Sequence, residues 1–392
     1  MRNPLAAHPP WRQLTIIAVL LPLMIVLAVL AFAWPAARIA PRGLPVGVVG
    51  TGAASAQVLA GLNRSEPGGF DVRRYPDQAA ARAAIRDRDI YGAFVIGPGA
   101  ARDSGGAAAT GPGAARDSGG AAGDGPGGVT VLEASAASPA VAQLLSTVGE
   151  ELARNAGAAA QAGGATPYAV QVRDVDVVPL PAGDPRGLVL PSALLPLTIC
   201  GVIMAAVIGL VLAFRPAWRQ IMALIVVSAT AGLGAYLIAQ GFLGALPQHA
   251  VATWAVLSLI LLAIGSATAG LIALIGAGGL GLSILAMIFV GNPFSGATSA
   301  PELLPAPVGA IGQWLPPGAG ANLLRSTAYF GGHGAGVHLT VLVVWIAAGL
   351  AAIAVGHHTP VRFAARRAAK PAARVRPDPA MRDAAYSDGA YS

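Results

Sequence analysis

Six stretches of this sequence carry no Asp, Glu, Lys or Arg and are almost wholly apolar: Leu14–Trp34, Gly187–Phe214, Gln220–Leu243, Val251–Ile275, Gly278–Gly291 and Val337–Gly356. A helix rises 1.5 Å per residue, so about 20 apolar residues cross the hydrocarbon core of a bilayer. Only 11% of the 392 residues are charged, against about 25% in soluble domains. A simple soluble globule is excluded. The expected fold is an α-helical integral membrane protein with six transmembrane helices, arranged one plus five, and a large extracytoplasmic α/β domain between the first two.

The first run exceeds the roughly 7 to 15 apolar residues of a signal peptide core. An uncleaved anchor is therefore expected, although Ala31-Phe32-Ala33 has the small-residue form of a cleavage site. The fifth run is short for a bilayer, and only glycines and alanine separate it from the fourth. Positive residues in short loops stay cytoplasmic. Arg2 and Arg12 precede the first run, Arg215 and Arg219 lie between the second and third, and the tail holds seven basic residues against Asp378, Asp383 and Asp388. With both termini cytoplasmic, the inner side sums to +8 and the outer side to −1. The expected location is the plasma (inner) membrane, multi-pass, and the basic balance reads as attraction to anionic membrane lipid rather than to nucleic acid.

The expected organisation is a cytoplasmic N-terminus at 1–13, a first span at 14–34, the extracytoplasmic domain at 35–187, a five-helix membrane domain at 188–356 and a basic disordered tail at 357–392. Within 35–187, short alternating segments predict strands at Leu44–Gly50, Phe70–Tyr75, Ile90–Ile96, Val129–Ala134 and Tyr168–Val178. Helices are predicted at Ser55–Asn63, at Asp77–Asp87 with Asp77 as cap, and at Ser138–Asn155 with Ser138 as cap and Pro139 at its first position. That order implies a parallel or mixed sheet covered by helices. A Gly/Ala-rich insertion at 97–128 contains a duplication, GPGAARDSGGAAAT followed by GPGAARDSGGAAGD. Two such units bury no core, so they read as a surface loop rather than as a solenoid.

Several chemistries have no residues to perform them. The only lysine, Lys370, precedes a proline and cannot complete a phosphate loop, and the only cysteine, Cys200, lies in an apolar run. No cofactor, metal site or catalytic residue is expected, and the chain does not read as an enzyme. GAGGLG at 276–281 joins two apolar runs and reads as a tight turn, while GVVGTG at 47–52 is an incomplete phosphate-cradling pattern. His333 with His338, and His357 with His358, read as interfacial residues. The apolar runs contain no ionisable relay for proton coupling. They carry small residues at four-residue spacing, Gly201/Ala205/Gly209, Ser228/Gly232 and Gly265/Ala269, which suit close packing within one chain better than dimerisation.

The outer interfacial loop at 292–337 is too apolar for a solvated loop and too rich in Pro and Gly for a span, so it should lie at the interface or re-enter under protein cover. Trp314, Tyr329 and Phe330 suit interfacial anchoring, and Asn322–Phe330 reads as a short amphipathic helix presenting Arg325. Glu302, Gln313 and Arg325 are among its few strongly polar side chains and are the candidates for shaping the outer end of a pathway.

The strings YGAFVIGPG, VTVLEASAASPAVAQLL, DVVPLPAGDPRGLVLPSALLPL and GNPFSGATSAPELLPAPVGAIGQWLPPGAGANLLRS, with the one-plus-five layout, resemble the type-2 ABC exporter (ABC-2 type) permeases. Within that group they resemble the phage-infection-protein-like membrane proteins of actinobacteria. The likeness covers about residues 14–356. It implies a membrane-spanning permease that moves a hydrophobic or amphipathic compound outward, powered by a separate ATP-binding subunit and working as a homodimer. The ATPase contact would fall on Arg12, Arg215, Trp218 and Arg219. Such permeases usually offer more cytoplasmic surface than 13 N-terminal residues and the connection Arg215-Pro216-Ala217-Trp218-Arg219. The alternative is a non-transporting envelope receptor or assembly scaffold acting through its extracytoplasmic domain.

Overall fold

The computed structural model describes residues 11–50, 53–96, 128–162, 171–212, 215–247 and 249–357. The repeat at 97–124, the residues after His357 and the side chain of Arg12 lie outside the described residues. Helix α1 (Trp11–Ala37) leads into β1 (Leu44–Val49), α2 (Ala53–Ser65), β2 (Phe70–Tyr75), α3 (Gln78–Arg86), β3 (Gly92–Ile96), β4 (Val129–Glu133), α4 (Pro139–Ala162) and β5 (Val172–Asp176). Asp77 caps α3 as its sequence position predicts, accepting from the Ala80 amide at 2.7 Å. Ser138 does the same for the Val141 amide at the start of α4.

The five strands run in the order β2-β1-β3-β4-β5. All neighbours are parallel except β3 and β4, which are antiparallel with Ile96 facing Val129. The mixed sheet expected from the alternating pattern is therefore present. Successive side chains on a strand point to opposite faces, and this divides the apolar residues into two cores. Val46, Val48, Phe94 and Val131 meet Val58 and Leu62 of α2 and Val141, Leu145 and Val148 of α4. Ala93, Val95 and Leu132 on the other face meet Ala81, Ala84 and Ile85 of α3. That second core continues without a break through Leu323, Leu324 and Phe330 to Ile260, Ile264 and Leu342 among the apolar helices.

Because Ile96 and Val129 are paired, the segment between them leaves and re-enters the sheet at one point. Deleting 97–124 would leave Gly125-Pro126-Gly127-Gly128 to close an ordinary hairpin, a roughly eightfold shortening that lowers closure entropy by about 2 kcal/mol. The full-length deletion protein is expected to unfold at the same or a higher temperature than the parent. A midpoint lower by several degrees would show that the repeats pack on the fold.

Beyond the sheet, Asp184 accepts from the amides of Leu188 and Val189, both at 2.9 Å, so the otherwise orphaned first amides of α5 (Val189–Val211) are satisfied. Helix α6 (Ala217–Tyr236) continues as a π-helical turn to Phe242, and α7 (Ala250–Ile275) is followed by α8 (Ala277–Ser283), which widens into a π-helix to Gly291. A 3₁₀ turn at Pro301–Leu303, α9 (Val308–Gln313), α10 (Pro316–Tyr329) and α11 (Gly336–Gly356) follow among the described residues. Among the described residues, four helices are long and apolar enough to cross a membrane: Val189–Val211, Ala217–Phe242, Ala250–Ile275 and Gly336–Gly356. Pro22–Ala37 and Ala277–Gly291 are shorter apolar segments.

Helix α7 is the hub, packed by α5, α6, α10 and α11. The small residues provide the contacts. A Cβ on Gly201 would meet Ile264 at 3.0 Å, one on Gly232 would meet the Ser258 backbone at 2.8 Å, and one on Gly265 would meet Met204 at 2.7 Å. The four-residue spacings therefore serve packing within the chain. The turn expected across GAGGLG is confined to Gly276, whose φ of 66° suits glycine, because Ala277 onward is already helical.

Candidate functional site

Helix α3 ends in a tight reversal. The Arg88 amide donates to the Ile85 carbonyl at 3.1 Å, and the Asp89 amide to the Ala84 carbonyl at 2.9 Å, the bonding pattern of a Schellman cap. The residue placed left-handed in that cap is ordinarily glycine. Here it is Arg88, with a φ of 66°, at a cost of about 1–2 kcal/mol. The reversal turns the Arg88 side chain onto α10.

There its guanidinium donates to the Asn322 carbonyl at 3.1 Å, to Asn322 Oδ1 at 3.0 Å and to the Ser326 hydroxyl. It also lies 5.4 Å from the centre of the Phe330 ring. Two neighbours add to this junction: the Tyr91 hydroxyl donates to Glu302 Oε2 at 2.8 Å, and His333 Nδ1 lies 2.9 Å from Asp87 Oδ1. The Arg42 guanidinium donates to the Leu303 carbonyl at 2.8 Å, which ties the approach to β1 onto the same 3₁₀ turn.

The three polar residues predicted for this loop do come together. Gln313 accepts from Asn322 Nδ2 at 2.6 Å and donates to the Ser295 carbonyl at 3.0 Å. Arg325 donates to the Ala297 carbonyl at 3.0 Å and to Asn322 Oδ1 at 3.4 Å. Asn322 is the centre of the network, since both guanidiniums share its amide oxygen. Burial moves the ionisation of these groups: Arg325 is pulled down to about 10, first by desolvation and then by the charge of Arg88, while desolvation pushes Tyr329 up to about 12. Burial lowers Arg88 as well, and it raises the Tyr91 hydroxyl, whose neighbour Glu302 adds to the effect.

Three expectations for this loop need correction. Helix α10 begins at Pro316 rather than Asn322, and it is buried on every side instead of amphipathic. Arg325 is consequently held inside, 4% exposed, and not presented outward. Tyr329 and Phe330 are core residues rather than interfacial anchors, with the Tyr329 hydroxyl donating to the Ala245 carbonyl at 3.0 Å; Trp314 alone of the three stays exposed. The sequence reading missed Arg88, Tyr91 and Asn322. Asp87-Arg88-Asp89 looks like a solvated charge run, and its one signal was a charged residue where a helix stop would favour glycine.

At the opposite end of the helices, the His357 ring donates from Nε2 to the Arg215 carbonyl at 2.8 Å. This joins the end of α11 to the connection between α5 and α6. Trp218 is exposed there, and Arg219 stacks on its ring at 5.4 Å. Among the described residues no group of His, Cys, Asp or Glu is placed to hold a metal ion.

The chain matches no curated protein and no solved structure. Against known families, residues 11–355 match the sequence model described as ABC-2 family transporter protein, a span that takes in the sheet, the α9–α10 loop and every apolar helix together. The chain is an integral membrane protein that belongs to the ABC-2 family of transporter proteins.

Proposed function

We propose that the chain is the permease subunit of an ABC-type exporter that carries a hydrophobic or amphipathic compound outward. The family match across 11–355 is the observation that carries this reading. In it, α1 and Ala277–Gly291 join the four longer helices as six spans, both termini are cytoplasmic, and the α/β region at 35–187 is extracytoplasmic. The charge asymmetry of the loops supports that orientation. The chain lacks a phosphate loop and any charge within its apolar runs, so neither ATP nor a proton gradient acts through it alone. A separate ATPase supplies the energy, and two copies of the permease form the working unit.

The ATPase contact is Arg12, Arg215, Trp218 and Arg219, with the end of α11 buttressing the connection through His357. Glu302, Gln313 and Arg325 shape the outer end of the pathway, with Arg88 and Asn322 holding them in place. Purification in mild detergent with identification of co-purifying proteins tests the assignment. An ATPase is expected to be retained, and reversing the charge of Arg215 and Arg219 is expected to reduce its recovery at least tenfold. Recovery of homo-oligomers or envelope partners alone, even after crosslinking, would favour the receptor or scaffold.

A further inference from the structure

Between the α3–β3 corner and α10 lies a cavity of about 200 Å³ whose polar lining is Arg88, Tyr91, Glu302, Gln313, Asn322 and His338. Its charges do not balance. The guanidiniums of Arg88 and Arg325 meet at Asn322 Oδ1, and among the described residues no carboxylate forms an ion pair with either. The one carboxylate in the lining, Glu302, has its Oε2 engaged by the Tyr91 hydroxyl. Glu302 acts favourably on both guanidiniums and so offsets one of the two positive charges. The other, buried without a counter-charge, costs several kcal/mol, and neutral carbonyl and amide oxygens offset only part of that.

The donors around the cavity are not used up. An arginine has five N–H donors, and Arg88 commits three of them to Asn322 and Ser326. His338 also lines the cavity, and its ring, whose enclosed Nδ1 has no hydrogen-bond partner, carries one N–H as a neutral imidazole. Arg88 occupies its position despite the left-handed backbone that favours glycine, which is the kind of local cost that accompanies a side chain kept for a task.

We propose that this cavity binds a single carboxylate- or phosphate-sized anion between Arg88 and His338, with Glu302 limiting the charge it accepts. Fixed guanidinium donors with a small polar rim recognise planar or tetrahedral oxyanions. The same chemistry is offered by a free anion and by the headgroup of an acidic lipid. The site does not depend on the exporter reading and would serve a scaffold equally.

The test uses the full-length protein. Isothermal titration with inorganic phosphate and with acetate is compared with thermal unfolding in phosphatidylcholine nanodiscs with and without phosphatidylglycerol. Saturable binding of phosphate or acetate at one per chain supports a small-anion site. Stabilisation by phosphatidylglycerol alone supports the lipid headgroup as the source of the same group. In either case Arg88→Gln is expected to weaken binding at least tenfold. His338→Leu, which removes no hydrogen bond made by Nδ1, is expected to weaken it severalfold while the protein stays folded. Glu302→Gln is expected to strengthen it, because the carboxylate on the wall is gone while an acceptor for Tyr91 remains. No saturable effect in any arm, or binding that all three substitutions leave unchanged, would overturn the proposal.

Discussion

Replacing Gly349 with valine is expected to separate α7 from α11 and to cost the protein about 3 kcal/mol or more. A Cβ at this position would lie 2.4 Å from the Ser266 carbonyl carbon and 2.6 Å from the Ala267 nitrogen. Both are backbone atoms in the middle of α7, so no side chain can swing aside. The approach is reciprocal, since a Cβ on Gly270 would meet the Gly349 carbonyl oxygen at 2.8 Å. In lipid there is little hydrophobic gain from bringing helices together, and close backbone packing supplies much of the association energy. Gly234→Val is the control, because nothing lies within 4 Å of its Cβ position. The measurement is the fraction of monodisperse protein in detergent and its unfolding midpoint; equal behaviour of the two variants would sink the claim.

The second large effect is expected at Arg325. Alanine there leaves the Ala297 carbonyl without its donor, removes one of the two bonds to Asn322 Oδ1 and opens a void inside α10's packing. Together these should cost about 2–4 kcal/mol. Lysine is not expected to rescue it, because one ammonium cannot match the planar guanidinium that reaches both acceptors. Methionine should recover part of the loss, since it fills the space without carrying a buried charge. That charge is itself a burden: with the folded value drawn down to about 10 from 12.5, the contribution of Arg325 to stability rises as pH climbs through 10 towards 12.5 and is least favourable at neutral pH. Thermal unfolding of the three variants at pH 7 decides the order. An Arg325→Ala protein that unfolds with the parent would remove this residue from the junction.

The parts of the fold legible in the sequence are those fixed by local chemistry. Asp77 and Ser138 mark helix starts because their side chains satisfy amides three residues on. The strands stand out as short runs bounded by turn residues; β1, β3 and β4 are buried nearly throughout because both faces of the sheet are covered, and alternation shows only at the start of the edge strand β2. The small-residue spacings point to close helix contacts, and the contacts are there. What could not be read is set by partners distant in the chain. Pro316 and Pro317 looked like helix breakers, yet they sit in the first turn of α10, where a missing amide hydrogen costs nothing. Gly320 looked like loop, but it lets α10 press on Ile260, and Gly312 leaves no room for a side chain against the Phe294 carbonyl. Only the fold reveals that Arg325 faces inward and that Arg88, over two hundred residues away, reaches the same asparagine.

The unbroken core running from the α3 face of the sheet into α7 and α11 also bears on how such a protein can be recombined. A sheet region transplanted from a relative between residues 35 and 187 would arrive with a face shaped for its former neighbours and with nothing to meet Asn322, Phe330 or Glu302. A functional chimera therefore has to exchange residues 292–337 together with the sheet, so the heritable unit is two separated stretches of chain rather than one contiguous cassette.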